Sequence, residues 1–294
     1  MWSEARTGVL FAAPFVVGFL IFTLGPMVTS LYYSFTDFNI LQAPLWKGLA
    51  NFAEVFHDER FYRSLTNTAY LMVGVPLGLA FALGIAQALN LRHAPLKGFA
   101  RAIAYMPAII PVVVVAYLFR WVLNGRYGLM NSFLRLFGIT PPNWLLNPAW
   151  TRPSAILIGL WVVGGTTVIY LAALRGVNSE LYEAAQLDGC GAIRRFIHVT
   201  WPGILPVTIF QLIVGLLGGL QNFNIPYLLG SGGFNMQVGG PSETLLTYSV
   251  YIYQVAFGYF RMGYASALAW VLFVIALLLT LVVLRLARRV DNDE

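Results

Sequence analysis

The sequence predicts an all-α integral membrane protein with six transmembrane helices. Of its 294 residues 59% are hydrophobic and 10% are charged, whereas soluble domains carry roughly 25% charged residues. Six stretches are apolar and long enough to cross about 30 Å of hydrocarbon. Their apolar residues do not alternate with period two, so the pattern excludes the strands of an outer-membrane barrel. Helices are expected, because every backbone polar group in lipid needs a partner within the chain.

The predicted spans follow one another along a single transmembrane domain of residues 1–294. They are expected at residues 8–33, 65–91, 102–123, 154–174, 204–228 and 263–284. The first stretch contains GVLFAAPFVVGFLIFTLG, which is too long for the core of a signal peptide and is not followed by a small-residue cleavage site. We therefore expect it to be retained as the first span.

The placement of basic residues predicts the orientation. Six spans put both termini on one side, together with residues 92–101 and 175–203. Ten of the 18 Lys and Arg residues fall on this side, many of them close to span ends, and the remaining eight fall on the other. Because basic residues near span ends concentrate in the cytoplasm, we expect both termini to be cytoplasmic. In a membrane protein this charge favours contact with anionic membrane lipid and not with nucleic acid.

Several function classes need residues that the predicted spans lack. The spans contain no Asp, Glu, Lys or His, so they offer no buried group for proton coupling. No Gly-x-x-x-x-Gly-Lys-Ser/Thr motif is present to hold the phosphates of ATP. Cys190 is the only cysteine, and no third group is evident that would orient Cys190 and His198 for nucleophilic chemistry. We therefore expect a chain that is not an enzyme and that binds no metal or cofactor itself.

A polar segment at residues 178–203 interrupts the apolar pattern between the fourth and fifth spans. Asn178 or Ser179 can cap a first helix, and Asp188–Gly189 can end it. We expect a second helix to end at Trp201–Pro202, where the next span begins. This second helix is predicted from positions spaced i, i+3, i+4 and i+7 on one face: Ile193, Phe196, Ile197 and Thr200. The residues alone leave two interpretations open: an amphipathic segment that rests on lipid, or a segment that docks into a cytosolic partner.

The pattern EAAQLDG at residues 183–189, with the later Pro202, resembles the EAA loop of permease subunits in binding-protein-dependent ABC importers. The family pattern is approximately EAAxxDGA followed by I-x-L-P, and this chain departs from it mildly at Cys190, Val199 and Trp201. The resemblance covers nearly the whole chain, which is similar to carbohydrate-uptake permeases of the maltose and glycerol-3-phosphate type. It is carried by ARTGVLFAAPFVVGFLIFTLGPMVTSLYYSFTDF, NPAW, GGPSET and YFRMGYASALAWVLF.

The resemblance implies a type I ABC importer permease fold in a prokaryotic cytoplasmic (inner) membrane. It also implies four kinds of partner: a second permease subunit, a dimer of ATPase subunits that binds ATP and Mg, an extracytoplasmic solute-binding protein, and a sugar or related polyol as substrate. The EAA loop, residues 178–203, would be the coupling helix that sits in a cleft of the ATPase. The residues implied in coupling are Glu183, Ala184, Ala185, Asp188, Gly189, Arg194, Arg195 and Pro202.

Uncharged amides and aromatic rings in the fourth and fifth spans are the candidates for the substrate pathway, because amides hydrogen-bond hydroxyl groups and rings cover a sugar face. Glycines nearby could open space for a solute. The alternative is that these amides bond between helices and that the small residues permit packing. The family resemblance favours the pathway. The candidates are Trp161, Thr166, Gln211, Gly215, Gly219, Gln221, Asn222, Asn224 and Tyr227.

Two other function classes remain in competition at this point. A stand-alone secondary carrier or facilitator for a neutral polar solute would need an internal repeat or a buried ion site, and neither is evident. A membrane scaffold with a partner-binding loop would not need an amide-lined span. The EAA loop in a chain without an ATPase motif favours the importer subunit.

Overall fold

A computed structural model describes the backbone of residues 2–90, 97–231 and 238–292, and the side chains of residues 8–90, 98–231 and 238–285. Five of the ten basic residues counted for the orientation lie outside these side-chain ranges: Arg6, Arg92, Lys97, Arg288 and Arg289.

Helices make up most of the described chain. In chain order they are α1 (Trp2–Phe19), α2 (Gly25–Ser34), α3 (Ala50–Val55), α4 (Glu59–Met72), α5 (Gly74–Asn90), α6 (Lys97–Ile109), α7 (Val112–Val122), α8 (Leu129–Leu136), α9 (Pro148–Trp161), α10 (Gly164–Gly176), α11 (Ser179–Leu187), α12 (Ala192–Arg195), α13 (Trp201–Leu220), α14 (Asn224–Gly230), α15 (Tyr248–Tyr253) and α16 (Met262–Asn292). Wider π-helical turns occur at Leu20–Leu24, Phe196–Thr200 and Gln254–Gly258, and a short 3₁₀ turn at Pro241–Glu243. Two short strands, β1 (Thr36–Asp37) and β2 (Leu45–Trp46), pair antiparallel.

Four helical stretches are individually long and apolar enough to cross a membrane: Gly8–Ser34, Glu59–Asn90, Ala192–Gly230 and Met262–Arg285. Two further candidates, in the regions of the predicted third and fourth spans, are bent helix pairs. Counting each pair as one span gives up to six among the described residues.

The predicted third span, residues 102–123, is not one continuous helix. Helices α6 and α7 meet there at 100°. Pro111 has an extended backbone, with φ −54° and ψ 135°, and supplies no N–H to continue the helix. Its ring also disfavours the helical conformation of Ile110 before it. The sequence prediction of a single helix is corrected for this reason.

The predicted fourth span, residues 154–174, is also divided. Helices α9 and α10 are bent by 48° around Val162 and Val163, whose ψ angles of 9° and 4° depart from the helical value. Immediately after the bend, a Cβ atom added to Gly164 would lie 2.5 Å from the Ala104 carbonyl oxygen. The bend thus brings α10 into backbone contact with α6, and only a glycine fits at that point.

The chain divides into two compact units, and the first comprises residues 1–61 and 251–275. In this unit β1 and β2 pair Thr36 with Trp46 and Asp37 with Leu45. The buried Asn51 donates hydrogen bonds from its amide nitrogen to the carbonyl oxygens of Ser34 and Thr36, each at 2.9 Å. These bonds hold the end of α2 and the start of β1 against α3.

A polar cluster in the first unit centres on Asp58. Its carboxylate accepts hydrogen bonds from the hydroxyl groups of Tyr251 and Tyr264, and from the backbone N–H of Arg60 at 2.8 Å. Burial raises the pKa of Asp58, but these hydrogen bonds outweigh it and hold the pKa below its ordinary value. Burial and the neighbouring Asp58 carboxylate raise the pKa of Tyr251. The cluster therefore holds an ionised carboxylate and a protonated phenol at neutral pH.

The second unit comprises residues 62–250 and 276–294, and helices α5, α10 and α13 pack together in it. Ala82 and Ala86 of α5 are fully buried in a cluster with Tyr170 of α10 and Ile204 of α13. Small residues on α5 allow the helices to approach closely, which is the main source of helix association where lipid is as apolar as the side chains.

Candidate functional site

The first arm of the EAA segment is α11, and both of its ends are built as the sequence predicts. The Asn178 side chain accepts a hydrogen bond from the backbone N–H of Glu180 at 3.0 Å and caps the helix. At the other end Gly189 has φ +71°, a conformation that glycine adopts without strain. The N–H groups of Cys190 and Gly189 bond back to the carbonyl oxygens of Ala185 and Gln186, at 2.9 and 3.1 Å. This is a Schellman motif, which ends the helix and turns the chain sharply.

The second arm does not end at Trp201–Pro202, so that expectation is wrong. Helix α12 continues through the π turn Phe196–Thr200 directly into α13. In the π turn the Trp201 N–H bonds to the Phe196 carbonyl, five residues back. The wider turn directly precedes Pro202, whose missing N–H and bulky ring would disturb a regular helix at this point. The second arm and α13 are therefore one continuous rod.

A hydrogen bond joins the two arms of the EAA segment. The Tyr182 hydroxyl lies 2.9 Å from the Thr200 hydroxyl, and Thr200 is buried. Ala185 of the first arm is also buried. The first arm is thus tied to the π turn, which leads directly into α13.

The outward surface of the EAA segment mixes charged and apolar side chains. Glu183, Ala184, Asp188 and Arg194 are exposed, while Arg195 and Pro202 are half-buried. Leu187 is 90% exposed, and on the predicted face of the second arm Ile193 and Ile197 are exposed while Thr200 is buried. Sequence reasoning missed Leu187, although its place just before Asp188–Gly189, at the tip of the turn, was a usable signal. An apolar side chain thus lies at the tip of the turn, next to the exposed Asp188.

The predicted pathway residues fall into separate groups. Gln221, Asn222, Asn224 and Tyr227 lie at a break between α13 and α14. Trp161 closes α9 and packs edge-on against Phe119 at 5.3 Å between ring centroids. Three of the remaining candidates lie elsewhere on α10 and α13, with Thr166 half-buried on α10, Gln211 buried on α13 and Gly219 further along α13.

Of the three glycines expected to open space for a solute, Gly215 and Gly219 lie in close packing in this structure, whereas Gly218 does not. A Cβ atom on Gly215 would lie 2.6 Å from Val75, and one on Gly219 would lie 3.0 Å from Met72. Both glycines instead let α13 pack closely against the junction of α4 and α5. Of the neighbouring glycines only Gly218 has nothing within 4 Å of that position.

The break between α13 and α14 carries the polar residues of the fifth span. Gln221 (φ −96°, ψ 10°) leaves the helical conformation, and the side chains of Gln221 and Asn224 are exposed. The Tyr227 ring stacks on Phe223 at 4.9 Å. Non-helical backbone within a span is tolerated only where it is buried in protein or lines a water-filled cavity, and such breaks in transporters place binding groups.

A cavity of about 540 Å³ lies between α5, α10 and α13, away from this break. Its walls are mainly apolar, with Gln87, Tyr170 and Thr208 as polar contributors, and the aromatic rings of Phe196 and Trp201 close one side. None of the predicted pathway residues lines it. Among the residues whose side chains are described, no group of three His, Cys, Asp or Glu side chains is arranged to hold a metal ion.

Comparison with known proteins identifies the family. The profile described as binding-protein-dependent transport system inner membrane component matches residues 74–293. The chain is 40% identical over 287 residues to the probable ABC transporter permease protein YesP of Bacillus subtilis, covering 96% of this chain and 91% of YesP. It is 31% identical over 294 residues to the arabinooligosaccharides transport system permease protein AraP of the same organism, covering 97% and 90% of the two chains.

The fold is similar to a solved importer. A chain in the crystal structure of a bacterial alginate ABC transporter, in complex with its alginate pentasaccharide-bound periplasmic protein, superposes with a TM-score of 0.83 and 28% identity, covering 99% of this chain and 98% of that one. The all-α membrane fold and the resemblance stated from the EAA loop are thereby confirmed. The chain belongs to the family of binding-protein-dependent transport system inner membrane components and is a permease subunit of an ABC importer.

Proposed function

We propose that this permease carries a sugar or related polyol across the cytoplasmic membrane, driven by a separate ATPase dimer that docks on the EAA segment. The observation that supports this most directly is the way in which the two arms of the EAA segment are joined to each other and to the fifth span. A capped and sharply turned α11 is bonded through Tyr182 to a π turn that continues without interruption into the fifth span. Such a rod can pass the closure of an ATPase dimer to the membrane helices as a rigid-body rotation.

The exposed residues of the segment fit a protein cleft better than a lipid surface. A helix resting on lipid keeps its charged and apolar side chains on opposite faces. Here two short arms meet at the sharp turn of Gly189, so the segment is not one amphipathic helix lying along a lipid surface, and the exposed Leu187 is at the tip of that turn. In the proposed complex Leu187 fills an apolar hollow, Glu183 faces basic groups, and Arg194 and Arg195 contact the rim. ATP and Mg are bound by the ATPase subunits and not by this chain.

The remaining partners follow from the same assembly. A second permease subunit completes the pathway, and an extracytoplasmic solute-binding protein delivers the solute. Both termini lie in the cytoplasm, with the EAA segment on the same side. AraP is described as transporting arabinooligosaccharides, and the structural match contains an alginate pentasaccharide bound by its periplasmic protein. These relatives support a carbohydrate as the substrate class.

The break between α13 and α14 supplies groups suited to such a solute. The amides of Gln221, Asn222 and Asn224 can each donate and accept hydrogen bonds, and so can serve hydroxyl groups in either direction. No carboxylate, lysine or arginine lies within α13 or α14, but the Arg120 guanidinium of α7 donates a hydrogen bond to the Leu228 carbonyl oxygen of α14 at 3.3 Å. We infer that the solute passes this break on its way from the binding protein.

The docking role is tested by charge reversal. Glu183→Arg in the full transporter should reduce the amount of ATPase that co-purifies with the permease, and the ATP hydrolysis of the complex. We expect roughly a tenfold or larger loss, because an unpaired interfacial charge costs about 2–5 kcal/mol. Glu180→Arg is the matched control, since it makes the same charge change one turn earlier, beside the Asn178 cap.

Equal retention of the ATPase by the Glu183→Arg and Glu180→Arg transporters would refute the docking role of Glu183. Gly189→Pro provides a second test, because proline holds φ near −65° and cannot adopt the φ of +71° at the turn. If this variant assembles and hydrolyses ATP like the wild type, the turn has no part in coupling.

A further inference from the structure

We propose that Thr247 is a positioning residue for the solute pathway. Its buried hydroxyl holds the break between α13 and α14 in place, and with it the amide side chains that flank the break. This inference rests on the proposed function, since it assigns a role at the same pathway. The Thr247 side chain is not itself expected to touch the solute, because the residue is only 1% exposed.

The break leaves carbonyl groups without partners in their own helix. Two hydroxyl groups from a distant part of the chain supply the missing hydrogen bonds. The Thr247 hydroxyl donates to the Asn222 carbonyl oxygen at 3.0 Å, and the Ser249 hydroxyl donates to the Leu220 carbonyl oxygen at 3.3 Å. Of the two bonds, the Thr247 bond is shorter and acts on the residue whose own amide side chain is a candidate solute contact. A carbonyl without a partner at membrane depth is strongly unfavourable, so this bond favours one conformation of the break.

Thr247 can hold the break because its own segment is anchored to α4. The buried Asn67 amide donates to the carbonyl oxygens of Glu243 and Leu246, at 2.7 and 3.0 Å. The backbone N–H of Tyr248 donates to the Thr68 hydroxyl at 2.9 Å. These anchors lie on both sides of Thr247 in the chain. The position of its hydroxyl is thus set by a helix that carries none of the candidate pathway residues.

The same segment holds an unfavourable backbone conformation. Ser242 and Glu243 have φ angles of +51° and +57°, in the left-handed region that side chains other than glycine rarely adopt. The Glu243 carboxylate pairs with Arg63 of α4 at 2.9 Å, which helps to hold this turn. Strain of this kind persists where the surrounding contacts over-determine the conformation, as they do when a structure fixes a functional group.

Loss of the Thr247 hydrogen bond would change the orientation of the side chains that flank the break. Gln221 precedes Asn222 directly, and its side chain is exposed. If the Asn222 carbonyl loses its partner, the chain from Gln221 to Phe223 can turn to find another, and the flanking side chains turn with it. Thr247 therefore acts on the pathway through the backbone of Asn222.

The test measures the position of Gln221 without any knowledge of the solute. In the assembled transporter in membrane vesicles, Cys190→Ala removes the only cysteine of this chain and Gln221→Cys introduces a reporter thiol. The probe is methanethiosulfonate ethyltrimethylammonium, a small water-soluble thiol reagent, and the measured quantity is its reaction rate. Thr247→Val removes the hydroxyl and preserves the shape of the side chain, whereas Thr247→Ser keeps the hydroxyl. Thr244→Val is the matched control, because the Thr244 hydroxyl bonds locally to the Pro241 carbonyl at 2.9 Å.

We expect Thr247→Val to change the reaction rate by roughly threefold or more, since the net free energy of one hydrogen bond corresponds to a ratio of about twofold to twelvefold. Thr247→Ser and Thr244→Val should leave it within roughly twofold of the parent, since both preserve the bond to Asn222. If Thr247→Val does not assemble, Ser249→Ala takes its place. It should change the reaction rate less than is expected for Thr247→Val, because the hydrogen bond from Ser249 to the Leu220 carbonyl is longer.

Equal rates in all variants would overturn the proposal. An equal change in both Thr→Val variants would also overturn it, since the effect would then come from general loosening of the segment. Either result is distinct from failure of the proposed function, which the Glu183→Arg experiment tests through ATPase binding and not through the state of the break.

Discussion

Gly164 provides the sharpest test of the packing in the second unit. Replacing it with alanine places a Cβ atom 2.5 Å from the Ala104 carbonyl oxygen and 3.0 Å from the Tyr105 Cα atom. Ordinary contacts between such atoms begin near 3.5 Å, so α6 and α10 must separate by roughly 1 Å. The obstacle is backbone, which cannot move aside by changing a rotamer. Overpacking of this kind costs about 1–3 kcal/mol.

Gly165→Ala is the control for this substitution. Gly165 is the next residue of the same helix, and a Cβ atom there would have nothing within 4 Å. Both variants gain the same helix preference of alanine over glycine, about 0.5–1 kcal/mol, so the difference between them isolates the steric cost. At about 2–4 °C per kcal/mol, the Tm of the Gly164→Ala complex should lie roughly 2–12 °C below that of Gly165→Ala.

Thermal unfolding of the purified transporter in detergent, followed by tryptophan fluorescence, measures this difference. A Gly164→Ala complex that unfolds at the same temperature as Gly165→Ala would show that α6 and α10 do not touch at this point. The bend between α9 and α10 would then need a different explanation.

Two further predictions concern hydrogen bonds outside the membrane. Tyr182→Phe should lower the free energy of unfolding by about 0.5–1.5 kcal/mol, because it removes the hydrogen bond to Thr200. Thr200→Val removes the same bond, so the double variant should lose no more stability than the more damaging single variant. Denaturant titrations that show additive losses would argue against the bond. Because hydrogen bonds depress the pKa of Asp58, its stabilising contribution should be complete at pH values above its unfolded pKa and lost as the pH falls through its folded pKa. The destabilisation caused by Asp58→Asn should therefore be larger at pH 7 than at about pH 3. If thermal unfolding shows the same loss of stability at both pH values, the hydrogen bond from Tyr251 does not stabilise the ionised Asp58 carboxylate.

The sequence was informative wherever a pattern is local. The cap at Asn178 and the turn at Gly189 follow from residue types within a few positions of each other, and both are present in the structure. Pro111 disfavours a continuous helix in the third span, but the apolar run around it favoured the prediction of one unbroken span. The 100° angle depends on what α6 and α7 each pack against, which no window of sequence contains.

Glycine and proline were the residues most easily misread. Gly215 in an apolar helix is compatible with open space or with close packing, and only the position of Val75, far away in the chain, decides for packing. Pro202 suggested a helix end, yet the π turn before it lets the helix continue. In both cases the residue restricts the local geometry without selecting one outcome.

By itself, the sequence determined the membrane class, the approximate spans and the EAA segment, since hydropathy and short-range helix signals depend on neighbouring residues alone. The tertiary structure decided which helices bend, which glycines are contacts and how the break before Asn224 is held. The bond from Thr247 to the Asn222 carbonyl joins residues 25 positions apart, and its anchor at Asn67 lies 179 positions from Leu246. Such pairings exist only after the helices have packed, because each partner alone is an ordinary polar residue with many possible neighbours.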